Sequence, residues 1–303
     1  MASLALGVDL GGTKIESVVV ERAPFREIAR RRVATERDEG YDAVLARTAG
    51  IIRDVARDAG VDAARIPIGV GMPGGVTRRD GLVKNSNTVC LNGRPFRDDL
   101  VRVLGRPAAF ENDANCFALA EAELGAAREH RSGVVFGVIL GTGVGGGVVV
   151  HGAIWSGPQG IAGEWGHHAV WAGRDDARAC YCGQRGCLER YASGPAVEDD
   201  YEARAGVRRG VAEIASLAAH DAHAAAALEG LVDAFGRGIA NVIDVLDPSV
   251  VVLGGGVSNL DVLYTAGVER VRRYVFNDEL TTPIVRHALG DSAGVLGAAL
   301  RAT

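Results

Sequence analysis

The sequence predicts an α/β protein whose two related domains close over a cleft, and three observations carry that reading. A short strand pattern running into a glycine-rich turn occurs three times, at 6–13, 138–147 and 250–256. Strand-like and helix-like stretches follow one another along the chain, as in layered α/β folds. Its 303 residues are enough for roughly two domains.

Taken in order, Leu4–Asp9 and Ile15–Val20 read as strands, with a less regular third near Arg30–Ala34, an opening antiparallel meander. Tyr41–Ala59 sets Val44, Leu45, Ile51, Ile52 and Val55 on one side of a helix. Ile66–Val70 is a buried strand ending in the tight turn Gly71-Met72-Pro73-Gly74-Gly75. Pro107–Phe110 runs into Glu111-Asn112-Asp113, where Asn112 or Asp113 suits the N-cap of a helix over Ala114–Ala127. The second half opens with strand Val134–Leu140, a glycine turn and strand Gly147–His151. An irregular cysteine-rich region covers 164–189. Helices Val211–Leu228 and Ala225–Leu246, strand Val250–Leu253 and helix Gly294–Arg301 complete the series. The expected domains are 1–115, joined by about 290–303, and a larger 116–289.

Composition excludes several classes. With 48% apolar and 23% charged residues the chain is an ordinary globular one, and a net charge of −5 argues against a nucleic-acid partner. The longest uncharged stretch, Val134–Val150, carries six glycines and reads as strand-turn-strand, so no membrane association is expected. A leader is not expected either, because Asp9 interrupts the first apolar run. Five cysteines, three of them clustered, point to a cytosolic metal site more than a disulfide framework.

Four motifs carry chemistry. In Leu6-Gly7-Val8-Asp9-Leu10-Gly11-Gly12-Thr13-Lys14 the glycines let backbone N–H groups converge on an anion, and Asp9 can hold Mg²⁺ beside it. Gly7 and Gly12 have the P-loop spacing, but Thr13-Lys14 reverses the required order. Lys14, one of only two lysines, either contacts phosphate or is a solvated side chain. Gly141-Thr142-Gly143-Val144-Gly145-Gly146-Gly147 matches G-x-G-x-x-G, yet a strand follows where a dinucleotide fold needs a helix. It reads as a hairpin facing phosphates, or as a purely structural one. Asp113 either accepts a proton from a hydroxyl attacking phosphorus or merely caps a helix. Cys180, Cys182 and Cys187 with His167 suit tetrahedral zinc, or stand as reduced thiols. Glu164 and Glu189 bracket that region and can accept sugar hydroxyls; Cys90 and Cys116 read as buried thiols.

Together these pieces resemble the ROK proteins (repressors and sugar kinases) over essentially the whole chain. The matching segments are Asp9-Leu-Gly-Gly-Thr-Lys14, Asn112-Asp-Ala-Asn115, Leu140–Gly147, Gly163-Glu-Trp-Gly-His167, Cys180–Glu189 and Leu253-Gly-Gly-Gly256. The resemblance implies an actin-like (ribonuclease H-like) ATPase fold and an ATP-dependent hexose kinase acting at the sugar 6-hydroxyl. It implies Asp113 as general base, and Asn87, Asn112, Glu164, His167 and Glu189 as sugar contacts. Asp9, Gly11, Gly12, Thr13, Lys14, Gly141, Thr142 and Gly143 would face Mg²⁺ and phosphates, and Gly254, Gly255 and Gly256 the adenosine. Structural Zn²⁺ on His167, Cys180, Cys182 and Cys187, a homodimer and a cytoplasmic setting are implied as well.

Segments 81–87, 91–96, 163–167 and 247–259 are most similar to the bacterial ROK fructokinases, which makes fructose the expected sugar. Segment 112–119 is similar also to the N-acetylglucosamine kinases, the alternative along with glucose and mannose. Cys90 stands where the fructokinase-like loop usually has tryptophan, which widens the expected pocket. A ROK repressor would need a DNA-binding module ahead of residue 6, an actin-like scaffold would have no use for Asn112-Asp113, and a non-enzymatic sensor would not need an intact catalytic set.

Overall fold

Leu6, Val8 and Leu10 alternate along the first strand, and glycines decide what packs on its other face. The computed structural model describes residues 4–77, 79–171, 173 and 175–302. Residues 1–3 and 303, which fall within the expected first domain, lie outside the described residues. The chain forms two compact units. The first takes in the residues up to Ala120, the segment Ser156–Ile161 and the residues from Asp291 on; the second is Glu121–Trp155 with Ala162–Gly290.

The first unit contains β1 (Leu4–Leu10), β2 (Lys14–Arg22), β3 (Phe25–Ala34), α1 (Tyr41–Asp58) and β4 (Ile68–Met72). These are followed by β5 (Gly75–Val76), β6 (Val83–Lys84), α2 (Phe96–Leu104), β7 (Ala109–Asn112) and the start of α3 (Asp113–Glu123). Its sheet runs β3-β2-β1-β4-β7, antiparallel on the β3 side and parallel from β1 to β7. Leu6, Val8 and Leu10 point to the face where Val44, Ile51, Ile52, Val55 and Leu100 complete a core. The opposite face carries Gly7 and Gly69, and the C-terminal helix Ala293–Arg301 lies directly on them. A Cβ at Gly7 would strike the Val295 carbonyl, one at Gly69 the Ala298 carbonyl, and one at Gly297 the Cys116 carbonyl. Only glycine admits backbone this close.

The second unit contains β8 (Val134–Leu140), β9 (Val144–Val150), β10 (Ala153–Ile154), α4 (Glu189–Ala192) and α5 (Gly194–Ala205). Then come α6 (Val211–Leu217), α7 (Ala222–Leu246), β11 (Val250–Gly254), α8 (Ala266–Tyr274) and β12 (Ile284–Arg286). The sheet order β10-β9-β8-β11-β12 repeats the first unit's pattern of an antiparallel edge and a parallel half. Two of the three strand-plus-glycine segments in the sequence, at 6–13 and 138–147, fall on β1 and β8, the corresponding strands of the two sheets; the third follows β11. Helix α7 supplies much of this unit's core through Leu231, Phe235, Ile239 and Ile243.

Three boundaries differ from the expectation, each for a local reason. The alanine-rich run from 211 breaks at Asp221, whose carboxylate accepts from the His223 and Ala224 N–H groups and so starts α7 there. Strand β9 begins at Val144, not Gly147. Helix α3 stops at Glu123 because Glu121 ends it: its carbonyl takes the Gly125 and Ala127 N–H groups and its carboxylate the Ala126 N–H at 2.8 Å. That fully buried carboxylate also accepts from Ala288 N at 3.1 Å and Leu289 N at 2.9 Å.

Candidate active site

In the first unit, β1 delivers Asp9 and turns at Gly11-Gly12-Thr13. The turn is closed by Gly11 N donating to Lys14 O at 2.9 Å. Thr35 staples it from outside: its N–H donates to Thr13 O at 2.9 Å and its hydroxyl to Gly11 O at 2.6 Å. Register places Asp9 beside Gly71 and Gly71 beside Glu111. Asp9 and Asn112-Asp113 therefore leave the same edge of one sheet, about 10 Å apart across two strand spacings.

Asn112 settles which residue caps α3. Its Oδ1 accepts from Ala114 N at 2.9 Å and Asn115 N at 3.3 Å, while its Nδ2 donates to Gly74 O at 3.0 Å. The helix thus has its cap without relying on Asp113, although the Asp113 carboxylate also accepts from Ala114 N at 2.8 Å. Glu111 braces the start of the helix, accepting from Asn112 N at 3.0 Å, Asn115 Nδ2 at 2.9 Å and Ser156 Oγ at 3.3 Å.

Asp9 feels that neighbour. Burial first, and then the negative charge of Asp113, push its pKa up to about 7. Next to it Glu16, fully buried, holds Lys14 at 3.6 Å, Arg30 at 2.5 Å and Arg32 at 2.9 Å, and accepts from Ser292 Oγ at 3.1 Å. Lys14 is engaged with Glu16 and the Asp291 carbonyl, so it is neither a plain solvated side chain nor free to reach outward without releasing them.

Asn87 is exposed on a loop that Ser86 and Asn92 hold by two mutual hydrogen bonds of 2.9 Å. The fold brings it to the phosphate turn, its Oδ1 3.6 Å from where a Cβ on Gly12 would stand. Cys90 is half-buried against the first unit's core and Cys116 wholly buried. Sequence reasoning passed over Thr35, Glu111 and Glu16, whose neighbours come from distant segments.

In the second unit, the β8–β9 hairpin turns at Gly141-Thr142-Gly143, with Gly141 N donating to Gly143 O at 2.9 Å and Gly194 N to Gly141 O at 2.8 Å. Glu189 is tied to this hairpin: its Oε2 accepts from Val144 N at 2.9 Å and leaves no room for a side chain at Gly143, where a Cβ would sit 2.8 Å away. Part of the glycine richness is packing, since Gly146 faces the Gly163 carbonyl and the Trp165 ring, and Trp165 Nε1 donates to Gly145 O at 2.8 Å. Gly254 pairs with Ile139, so Gly254-Gly255-Gly256 leaves the strand next to the hairpin. Gly255 takes φ +84° against the Leu140 carbonyl, a conformation and an approach that demand glycine. Glu164 is exposed, one residue before the short helical turn Trp165–His167.

His167, Cys180, Cys182 and Cys187 offer four ligand atoms within 4.8 Å of one another. Cys182 Sγ lies 3.6 Å from Cys187 Sγ, and Cys180 Sγ lies 3.7 Å from His167 Nδ1. Those are the edge lengths, about 3.6–3.8 Å, of a tetrahedron with ordinary zinc–sulfur and zinc–nitrogen distances. Backbone bonds shape the knuckle, Cys180 N to Gln184 O and Gly183 N to Cys180 O, with Gly183 and Gly186 at φ +88° and +79°. The His167 Nε2 faces the Tyr181 hydroxyl at 3.2 Å, which leaves Nδ1 as the ligand atom. The donor set fits zinc.

Among the described residues no helix is long and apolar enough to cross a membrane. A sequence model of the ROK family matches residues 5–303. The chain is 38% identical over 301 residues to an N-acetyl-D-glucosamine kinase of Photobacterium profundum, covering 97% of each. Its fold is similar to the ROK hexokinase from Thermus thermophilus, with TM-score 0.86, 36% identity and coverage of 99% of this chain and 97% of that one. It is also similar to a ROK family glucokinase from Streptomyces griseus in complex with glucose and AMPPNP, with TM-score 0.80, 29% identity and 99% coverage of both. N-acetylglucosamine, not fructose, is thus the sugar that the most similar of these sequences names. Repeated α/β units, a glycine-rich turn at a strand end in each, and full-length matches together place this chain in the ROK family, with the actin-like ATPase fold.

Proposed function

We propose that this protein is an ATP-dependent sugar kinase that phosphorylates the 6-hydroxyl of N-acetylglucosamine. One observation carries the reading: Asp113 leaves the same sheet edge as the Asp9–Gly12 phosphate turn, in a chain whose relatives are N-acetylglucosamine kinases along their length. Glucose is the second reading, favoured by the glucokinase fold match. Fructose, expected from segments 81–96, keeps a place only as an arm of the test.

Asp113 takes the proton of the sugar 6-hydroxyl as its oxygen bonds to the γ-phosphorus. The bond from that phosphorus to the bridging oxygen breaks and ADP leaves. Asn112, fixed by its cap, by Gly74 and by Glu111, sets the backbone from which Asp113 projects. Asn87, Glu164, His167 and Glu189 accept or donate to sugar hydroxyls. N–H groups of Gly11, Gly12, Thr13, Thr142 and Gly143 receive phosphate oxygens, with Gly254, Gly255 and Gly256 on the adenosine side. Asp9 would hold Mg²⁺ directly or through water, and the ion would supply neutralisation of the phosphate charge. Zinc on its four ligands would order the loop that carries Glu164 and Glu189.

ADP release with Mg-ATP, measured across N-acetylglucosamine, glucose, mannose and fructose, tests this directly. The highest kcat/KM is expected for N-acetylglucosamine, and preference for fructose or sugar-independent release would overturn the assignment. Asp113→Asn should lower kcat by roughly 10²–10⁴-fold with sugar affinity retained; a fully active variant would place the base elsewhere.

A further inference from the structure

Arg37 lies outside every motif described so far, yet the fold carries it to the phosphate turn. Its segment is pinned there by Thr35, which bonds to Gly11 and Thr13 on both sides of Gly12. Glu36 then adopts the left-handed conformation, φ +47°, which a side-chain-bearing residue accepts only under constraint. The next residue, Arg37, comes back over the turn: a Cβ on Gly12 would lie 3.4 Å from its Nη1, 3.5 Å from Thr88 Oγ1 and 3.6 Å from Asn87 Oδ1. Three polar atoms from two separate segments thus converge on one side of a single glycine.

None of the nearby acids neutralises the guanidinium. Glu36 and Glu39 are both taken by Arg47. Among the described residues the Arg37 guanidinium has no ion-pair or hydrogen-bond partner. Thr88 Oγ1 is buried and likewise has none. An unspent cation and an unspent hydroxyl beside a turn of converging N–H groups make a place for an incoming anion.

We propose that Arg37 binds the terminal phosphoryl group of the nucleotide, as a residue of the phosphate site in its own right. The assignment rests on the kinase reading above. It selects the γ-phosphoryl because Asn87, the proposed sugar contact, meets the same glycine, and the phosphoryl closest to the sugar is the one transferred. Arginine's planar fork suits two phosphoryl oxygens at once.

Binding of Mg-AMPPNP and of Mg-ADP to the full-length protein, and to Arg37→Met and Arg37→Lys, reads this without turnover. Arg37→Met should weaken AMPPNP by roughly 10- to 100-fold, the effect of losing a charge-assisted hydrogen bond, with ADP within twofold. Arg37→Lys should fall between Met and wild type. Thermal melts should be unchanged, since the side chain is exposed and unpaired. In turnover, KM for ATP should rise with KM for sugar unaltered. An equal loss for AMPPNP and ADP, or no loss for either, would overturn the proposal. Should wild type phosphorylate no sugar at all, the kinase reading fails, while the AMPPNP-against-ADP comparison still decides on Arg37.

Discussion

Glu121 lies where the chain passes from the first unit into the second, and its carboxylate is the acceptor for three backbone N–H groups from two separate places. Ala126 belongs to the turn ending α3, and Ala288 and Leu289 to the segment just before the chain returns to the first unit. Glu121→Ala removes every one of those acceptors. A buried N–H left unpaired costs about 1–3 kcal/mol, so three cost about 3–9 kcal/mol. Relaxation and water entry bring the expected loss to about 4–5 kcal/mol, at the upper end for single substitutions. For a unit of this size that corresponds to a fall in Tm of about 8–20 °C. Glu121→Gln keeps one carbonyl acceptor but turns an amide donor toward the remaining N–H groups, so about half the loss is expected. Urea unfolding followed by circular dichroism, with all three proteins at one concentration, measures both. A loss below about 1 kcal/mol for the alanine variant would show that these N–H groups find other partners, and the reasoning would fail.

Other perturbations follow from the same geometry. Gly143→Ala places a Cβ 2.8 Å from Glu189 Oε2; the carboxylate must leave Val144 N, and kcat/KM for both sugar and ATP should fall at least tenfold, judged by steady-state kinetics. Unchanged kinetics would mean that Glu189 has no part in the site. Zinc removal, or Cys182→Ser, should open the 167–188 loop to proteases and raise KM for sugar; intact protease resistance in metal-free protein would refute a structural role. Asp9 has its pKa raised from 3.8 to about 7, so its protonated form is favoured by folding. Its contribution is fully present below about pH 4 and is lost as pH rises through 7. Metal-free wild type should therefore lose more stability between pH 5 and 8 than Asp9→Asn does, and parallel melting curves for the two would exclude Asp9 as the cause.

What the sequence disclosed and what it hid divide along a physical line. Strand ends such as Asp9-Leu10-Gly11-Gly12 and Asn112-Asp113 were legible because a turn, a cap and a charge must all be written within a few residues. The four metal-ligand candidates were legible because thiols cluster for few other reasons. Glu16, Glu121 and Arg37 were not, because each is defined by partners that only the tertiary fold brings near: Ser292 for Glu16, Leu289 for Glu121, Gly12 for Arg37. The segment Ser156–Ile161 reads as a loop of the second half, yet it belongs to the first unit, where Ser156 meets Glu111. Segments 81–96 pointed toward fructose, but apart from Asn87 much of them serves the loop itself: the Asn92 side chain bonds the Ser86 backbone, and Val83 exchanges backbone bonds with Gly93 and Arg94. A scaffold carries little information about the sugar it presents.

The glycine stripe of β1 and β4 ties the first unit's sheet to the helix Ala293–Arg301, more than two hundred residues away in sequence. Gly7 and Gly69 lie bare until Ala293–Arg301 covers them, and Gly294 brings that helix to 2.8 Å from Asp9 Oδ2, measured from where its Cβ would be. On the ribosome, then, the Gly11–Thr13 turn emerges before the second unit and stands on an unfinished sheet while that unit is made. The helix that completes it is made only after the second unit, so the turn gains its support late, and a lesion in Ala293–Arg301 would be felt at Asp9.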